Sequence, residues 1–302
     1  MAGLGQTVKL DWSLTASMSG EVTINGVNHP AWYMDSSGAF FPSNGFMGDR
    51  SSIGAHLEYI EGQACTLYFT NRSSMEHTVH LHGLDVNQAN DGVPTTSFAV
   101  APGGTYTYRF TAPHAGTYHY HCHVDTVLHY AKGMFGTVIV RPSNGSTNRA
   151  WNNGPVFDKE GLWQASTVDT YWADNLLQSS SATARFNPTG FLINGLDTPQ
   201  ARTDVHTRID CTAGDTVYLR LAQSSYLWSR YELDGIPFKI VASDGRPYPT
   251  PVNATEIEIG PGERYDIMFN APAAGTYKPR ISFLDDYTQN VVGFAETRIN
   301  VS

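Results

Sequence analysis

The chain has 302 residues and a formal net charge of −9, with no cluster of Lys and Arg. That balance excludes nucleic acid and anionic membranes as partners, and no apolar run approaches membrane-spanning length. Only 16% of residues are charged, while 28 Gly and 16 Pro supply many turns and few long amphipathic helices. An all-β protein with room for two domains is predicted.

Taken in order, Met1-Ala2-Gly3-Leu4-Gly5-Gln6 lacks a basic, apolar and cleavage pattern, so the protein is either cytosolic or already freed of a signal peptide. Val8–Trp12 and Val22–Ile24 are predicted as edge strands, and the Gly/Ser/Asn/Pro-rich run Ser36–Ser52 as a long loop. His29 and His56 stand without ligand spacing and are read as structural or surface residues. Cys65, Cys122 and Cys211 are too few for a disulfide framework. Cys65 and Cys211 each lie in an apolar, strand-like segment, where an unpaired Cys packs comfortably.

All but three of the eleven histidines lie between His77 and His129. They form two motifs, His77-x2-His80-x-His82-Gly83 and His119-x-His121-Cys122-His123-x5-His129, the second continuing to Gly133-Met134. Both are rich in Thr, Val, Tyr and Leu, the composition of strands. Side chains alternate along a strand, so His80 and His82 share a face, as do His119, His121 and His123, while Cys122 points the other way. Cys122 can then join His77, His129 and the thioether of Met134 in a two-His, one-Cys set with a weak axial Met, the ligand set of a blue-copper centre. His80, His82, His121 and His123 form a second, all-imidazole cluster on the opposite face. His119 is either an extra ligand or proton donor there, or a partly exposed histidine at the start of the strand. His114 lies in a solvated turn, and Tyr118 and Tyr120 are packing residues.

Beyond Met134 the chain repeats itself. Gly62–Asn71 aligns with Gly214–Gln223, Asp91-Gly92-Val93-Pro94 with Asp244-Gly245-Arg246-Pro247, and Pro102–Tyr118 with Pro261–Tyr277. Two tandem Greek-key β-sandwiches are predicted, over residues 1–142 and 161–302, joined by a linker at 143–160 rich in Ser, Asn, Gly and Pro. The second copy has lost the ligands: Ser229 stands for His77, Glu232 for His80, Asp234 for His82, Arg280 for His121, Ile281 for Cys122 and Ser282 for His123. His206, the one histidine after the linker, matches no ligand position.

These motifs, with Asp91-Gly92-Val93-Pro94, resemble those of the multicopper oxidases and their copper nitrite reductase cousins, and the resemblance covers nearly the whole chain. The spacing from Cys122 to His129 is longer than that of three-domain laccases and is similar to that of two-domain multicopper oxidases. The resemblance implies tandem cupredoxin domains, copper as cofactor, type 1 copper at His77, Cys122, His129 and Met134, and a second copper site at His80, His82, His121 and His123. It also implies a homotrimer, in which Glu232, Asp234 and Arg280 of one subunit face the histidine cluster of the next. A laccase-type centre needs eight histidines from two domains, and here one domain offers four and the other none, so typical laccase activity is not expected. The implied function is a copper oxidoreductase drawing electrons from a small redox protein or small molecule, in the periplasm or outside the cell. Two alternatives stay open: a non-enzymatic blue-copper carrier with a vestigial second site, and a nitrite-reductase-like enzyme, for which His82 and His121 match two ligands and the third has no candidate.

Overall fold

The computed structural model describes residues 11–35, 56–178 and 184–302. The loop expected at Ser36–Ser52 and the first residues of the strand expected at Val8–Trp12 lie outside them. The first half holds strands β1 (Asp11–Ile24), β2 (Val27–Asp35), β3 (His56–Ile60), β4 (Ala64–Asn71), β5 (Thr105–Thr111) and β6 (Gly116–His121), then helix α1 (Thr126–Ala131) and β7 (Phe135–Arg141). The second opens with β8 (Lys159–Val168), α2 (Thr170–Asn175), β9 (Gly190–Ile193), α3 (Thr198–Ala201), β10 (Ile209–Cys211) and β11 (Thr216–Ser224). It closes with β12 (Trp228–Glu232), β13 (Phe238–Ser243), β14 (Arg246–Ala254), β15 (Glu256–Ile259), β16 (Arg264–Asn270), β17 (Gly275–Tyr277), β18 (Arg280–Leu284), β19 (Val291–Glu296) and β20 (Ile299–Val301).

Period-two patterning makes these strands. In β1, Trp12, Leu14 and Ala16 are buried and Asp11 and Ser13 are exposed, so one face packs on a core and the other meets water. The sheet β2-β1-β4-β5 lies with the sheet β3-β7-β6 around a core that includes Leu67, Tyr108, Tyr118, Tyr120 and Cys122. In the second half the sheets are β14-β13-β16-β11-β8-β9, β15-β12-β18-β19 and β10-β20-β17, around Trp163, Leu219, Tyr231, Ile267 and Phe283. The sequence repeat extends to pairing. β1 runs parallel to β4, itself antiparallel to β5, and β8, β11 and β16 do the same. The trio β3, β7 and β6 recurs as β10, β20 and β17.

Two expectations change. Val22–Ile24 is the end of one long strand that begins at Asp11 and bends at a bulge between Ser17 and Gly20, and β1 is interior to its sheet, between β2 and β4. The segment His77–Gly83 is not a strand: it touches its neighbours through two isolated bridges, His77 with Val100 and His80 with His121, and turns at Leu81–Leu84. All three cysteines are free and buried.

The two halves are joined through a buried chain of charges. Arg141 forks between Glu58 (3.0 Å) and Glu160 (2.8 Å), and Glu160 also accepts from Arg220 (2.5 Å). All four side chains are fully buried. Arg220 donates to Thr117 Oγ1 (2.8 Å), which donates to Asp266 (2.5 Å) across the halves. Burial alone would raise the Glu58 carboxyl, but Arg141 and the hydrogen bond to His56 outweigh it and hold it well below the ordinary carboxylate range. Removing one member strands its partners without counter-charge, which costs about 3–5 kcal/mol. Arg141→Met is therefore expected to lower folding stability by roughly that amount in urea unfolding. Arg230→Gln, which breaks a half-exposed pair with Glu258, is expected to change it by less than about 1 kcal/mol. Equal effects would contradict the account.

Candidate metal centres

The end of β6 divides two groups of ligands. Tyr118 and Tyr120 point into the core of the first half, so His119 and His121 take the opposite face, and Cys122 follows the tyrosines inward. Cys122 N–H donates to the Met134 carbonyl (2.9 Å) and Met134 N–H to the His129 carbonyl (3.1 Å), which ties the thiol, the second imidazole and the buried Met134 into one knot. Asp125, at φ +44°, turns the chain into α1, which carries His129.

In the first group Cys122 Sγ lies 3.2 Å from His129 Nδ1 and 3.5 Å from His77 Nδ1, and the two Nδ1 atoms are 3.2 Å apart. All three residues are buried, and both Nε2 atoms are buried without a hydrogen-bond partner. Three donor atoms thus converge on one point without a charge to answer them, and a soft cation that takes thiolate and imidazole fits that set. Burial pushes the Cys122 thiol up to about 12. A thiolate at this position therefore needs a metal beside it. The buried Trp32 packs edge to face with His129, ring centroids 5.3 Å apart.

In the second group the ligand atoms of His80, His82 and His121 lie within 4.8 Å of one another. His121 Nδ1 contacts the Cys122 carbonyl (3.0 Å) and His80 Nδ1 contacts the Asp91 carbonyl (2.8 Å). Each contact fixes a tautomer and leaves Nε2 as the binding nitrogen. His123 stacks on His121 at 5.7 Å and meets His80 edge-on at 5.3 Å; it adjoins the trio without sharing its tight geometry. His119 is buried, with Nε2 3.1 Å from the Tyr130 hydroxyl.

Sequence reasoning missed the neighbours that the second half supplies. Tyr226 donates to the Val127 carbonyl (2.7 Å) and so pins α1. With Tyr130, Ser225, Pro261 and Gly262 it lines a cavity of about 170 Å³ against His82, His119 and His121. Arg264 packs where a side chain on Gly83 would stand, and Gly83 has φ +84°. Asp91 had a signal, the Asp-Gly-Val-Pro motif, but its partner is visible only in the fold.

The replaced residues sit elsewhere. Glu232 pairs in register with Arg280 on neighbouring strands, as His80 does with His121 in the first half. Ser229 accepts from Gln223 (2.7 Å), and Ile281 fills the core at the position equivalent to Cys122. Arg280 is bound to Glu296 (2.6 Å). Asp234 was expected on one strand with Glu232, but β12 ends at Glu232; Asp234 lies in a turn at φ +53° and accepts from Lys278 N–H (2.9 Å).

A thiol, two imidazoles and a methionine beside a second imidazole cluster, on duplicated β-sandwiches, define a copper-binding class of protein. Models of the multicopper oxidase family match residues 41–145 and 162–298, and the chain belongs to that family, a class of copper-dependent oxidoreductases. It is 30% identical to Laccase-1 of Botryotinia fuckeliana over 72% of this chain and 37% of the relative. To copper resistance protein A of Escherichia coli it is 28% identical over 71% and 41%. The chain thus spans about two fifths of the length of these curated relatives. Among solved structures it is similar to the blue copper oxidase from Nitrosomonas europaea, with TM-score 0.74 and 25% identity over 96% of this chain and 85% of that one. The multicopper oxidase mgLAC, at TM-score 0.76 and 23% identity over 97% and 86%, shares the fold.

Burial lowers His77 and His121 to about 3 and His82 and His129 to about 4. An unfolded chain takes up protons near pH 6.5, well before these folded imidazoles do. Stability present above that pH is therefore lost as pH falls toward the folded values. The metal-free protein is expected to lose thermal stability steadily from pH 7 to pH 5. A midpoint that does not move over that range would refute neutral, buried ligand sets.

Proposed function

We propose that the chain is a copper oxidoreductase whose type 1 copper is held by His77, Cys122, His129 and Met134, with a second copper site at His80, His82, His121 and His123. The observation that carries this is one residue: Cys122 puts its sulfur in the first set while its chain neighbour His121 belongs to the second, which His123 adjoins. Bound copper supplies one-electron redox chemistry. The protein shapes it by burying the thiol, aligning the imidazoles through Asp91 and the Cys122 carbonyl, and packing Trp32 on His129.

We read residues 1–142 and 161–302 as cupredoxin domains joined by a linker at 143–160, and the active form as a homotrimer outside the cytoplasm. The outer face of the β15-β12-β18-β19 sheet supports the trimer, because it exposes Trp228, Val292 and Phe294 beside Glu232. In this arrangement Glu232 and Asp234 of one subunit approach the cluster of the next, while Arg280 steadies the surface through Glu296. With no imidazoles from the second domain, the reaction is not that of a typical laccase, and the donor is a small redox protein or small molecule. Among the described residues no helix is long and apolar enough to cross a membrane. Copper-loaded protein is expected to show an intense visible thiolate-to-copper band that Cys122→Ser abolishes while β-sheet circular dichroism persists. A variant that keeps its colour would overturn the assignment.

A further inference from the structure

Away from both histidine groups, a cavity of about 640 Å³ opens on the outer face of the β14-β13-β16-β11 part of the second-half sheet. It falls within the range of about 300–1,000 Å³ usual for small-molecule sites. Its walls include Trp151, Phe238, Val241 and Tyr248, and its polar groups include Lys239 and Asn253.

The site is built before any ligand arrives. Trp151 comes from the segment between the two halves, and its indole lies so close over Gly154 that a Cβ there would stand 2.7 Å from the ring. Gly154 is held by N–H donation to the Trp151 carbonyl (2.8 Å) and by Arg149, whose guanidinium donates to the Gly154 carbonyl (2.5 Å). Behind the loop, Phe157 stacks on Tyr218 at 5.0 Å and 9°, fastening it to the sheet. Trp151 is thus a fixed wall.

Charge decides the ligand class. The chain carries 28 acidic against 19 basic residues, yet among the described residues no acid lines this cavity. Lys239 is exposed on β13, paired in register with Asn253 on β14 and Met268 on β16, and it enters no ion pair among the described residues. An ammonium beside an amide, in a cavity otherwise walled by aromatic rings, prolines and aliphatic side chains, fits an anionic head on an apolar, planar body. We propose that this cavity binds small aromatic carboxylates, with Lys239 meeting the carboxylate and Trp151 and Tyr248 flanking the ring.

The test is titration of the copper-loaded full chain with 3-phenylpropionate, which has no phenol for a copper centre to oxidise, followed by calorimetry and tryptophan fluorescence. Saturable binding is expected, weakened roughly tenfold or more by Lys239→Met, because a charge-assisted contact is lost. The uncharged 3-phenylpropanamide is expected to bind the native chain as weakly as 3-phenylpropionate binds that variant. Lys239 is exposed, so its replacement leaves the fold intact, and circular dichroism confirms this in the same samples. Absence of binding at millimolar 3-phenylpropionate, or equal affinity in the native chain and Lys239→Met, would overturn the proposal.

Discussion

The constraint on which the rest depends is the direction change at Cys122. Strand alternation sends its sulfur into the core of the first half, beside His77 and His129, while His121 points to the other side with His80 and His82. One peptide unit therefore separates two ligand groups, and nothing can shift one without shifting the other. Packing strengthens the link. The tyrosines on either side of His119 are fully buried, so β6 cannot rotate, and the Met134 and Cys122 backbones are hydrogen-bonded to each other.

The second half serves that arrangement without holding ligands of its own. Its duplicated scaffold has been refilled: a serine bound by Gln223 and a buried isoleucine occupy positions equivalent to His77 and Cys122. In exchange it braces the first half. Tyr226 fixes α1, the helix that carries His129, and the chain Glu58, Arg141, Glu160 and Arg220 locks the two sandwiches with buried charge. Buried ion pairs give little net stability but punish any rearrangement that separates them. That property suits a protein whose candidate metal ligands come from one half and whose adjoining cavity walls come partly from the other.

Much of this was legible in the sequence, for a physical reason. Metal ligands are few residue types at fixed spacing, and period-two patterning reports which face each takes, so the sequence already separates His77, Cys122 and His129 from His80, His82 and His121, the two groups that the fold brings together. The duplicated turns likewise announced a duplicated fold. What failed was local conformation: His77–Gly83 has strand composition but only isolated bridges, and Asp234 sits in a left-handed turn beyond the strand that carries Glu232. What could not be seen at all was contact between distant segments. Nothing in the sequence pairs Tyr226 with α1, Trp32 with His129, or Glu160 with Arg141, because such pairs exist only once the sheets have packed.

The central claim is that two copper sites, not one, flank Cys122. Copper counted per chain in the reconstituted protein, together with its electron paramagnetic resonance spectrum, tests it most directly. The account predicts more than one copper per chain, with a type 1 signal and further copper that His80→Ala, His82→Ala removes while the type 1 signal remains. A single copper per chain, unchanged in that double variant, would contradict it.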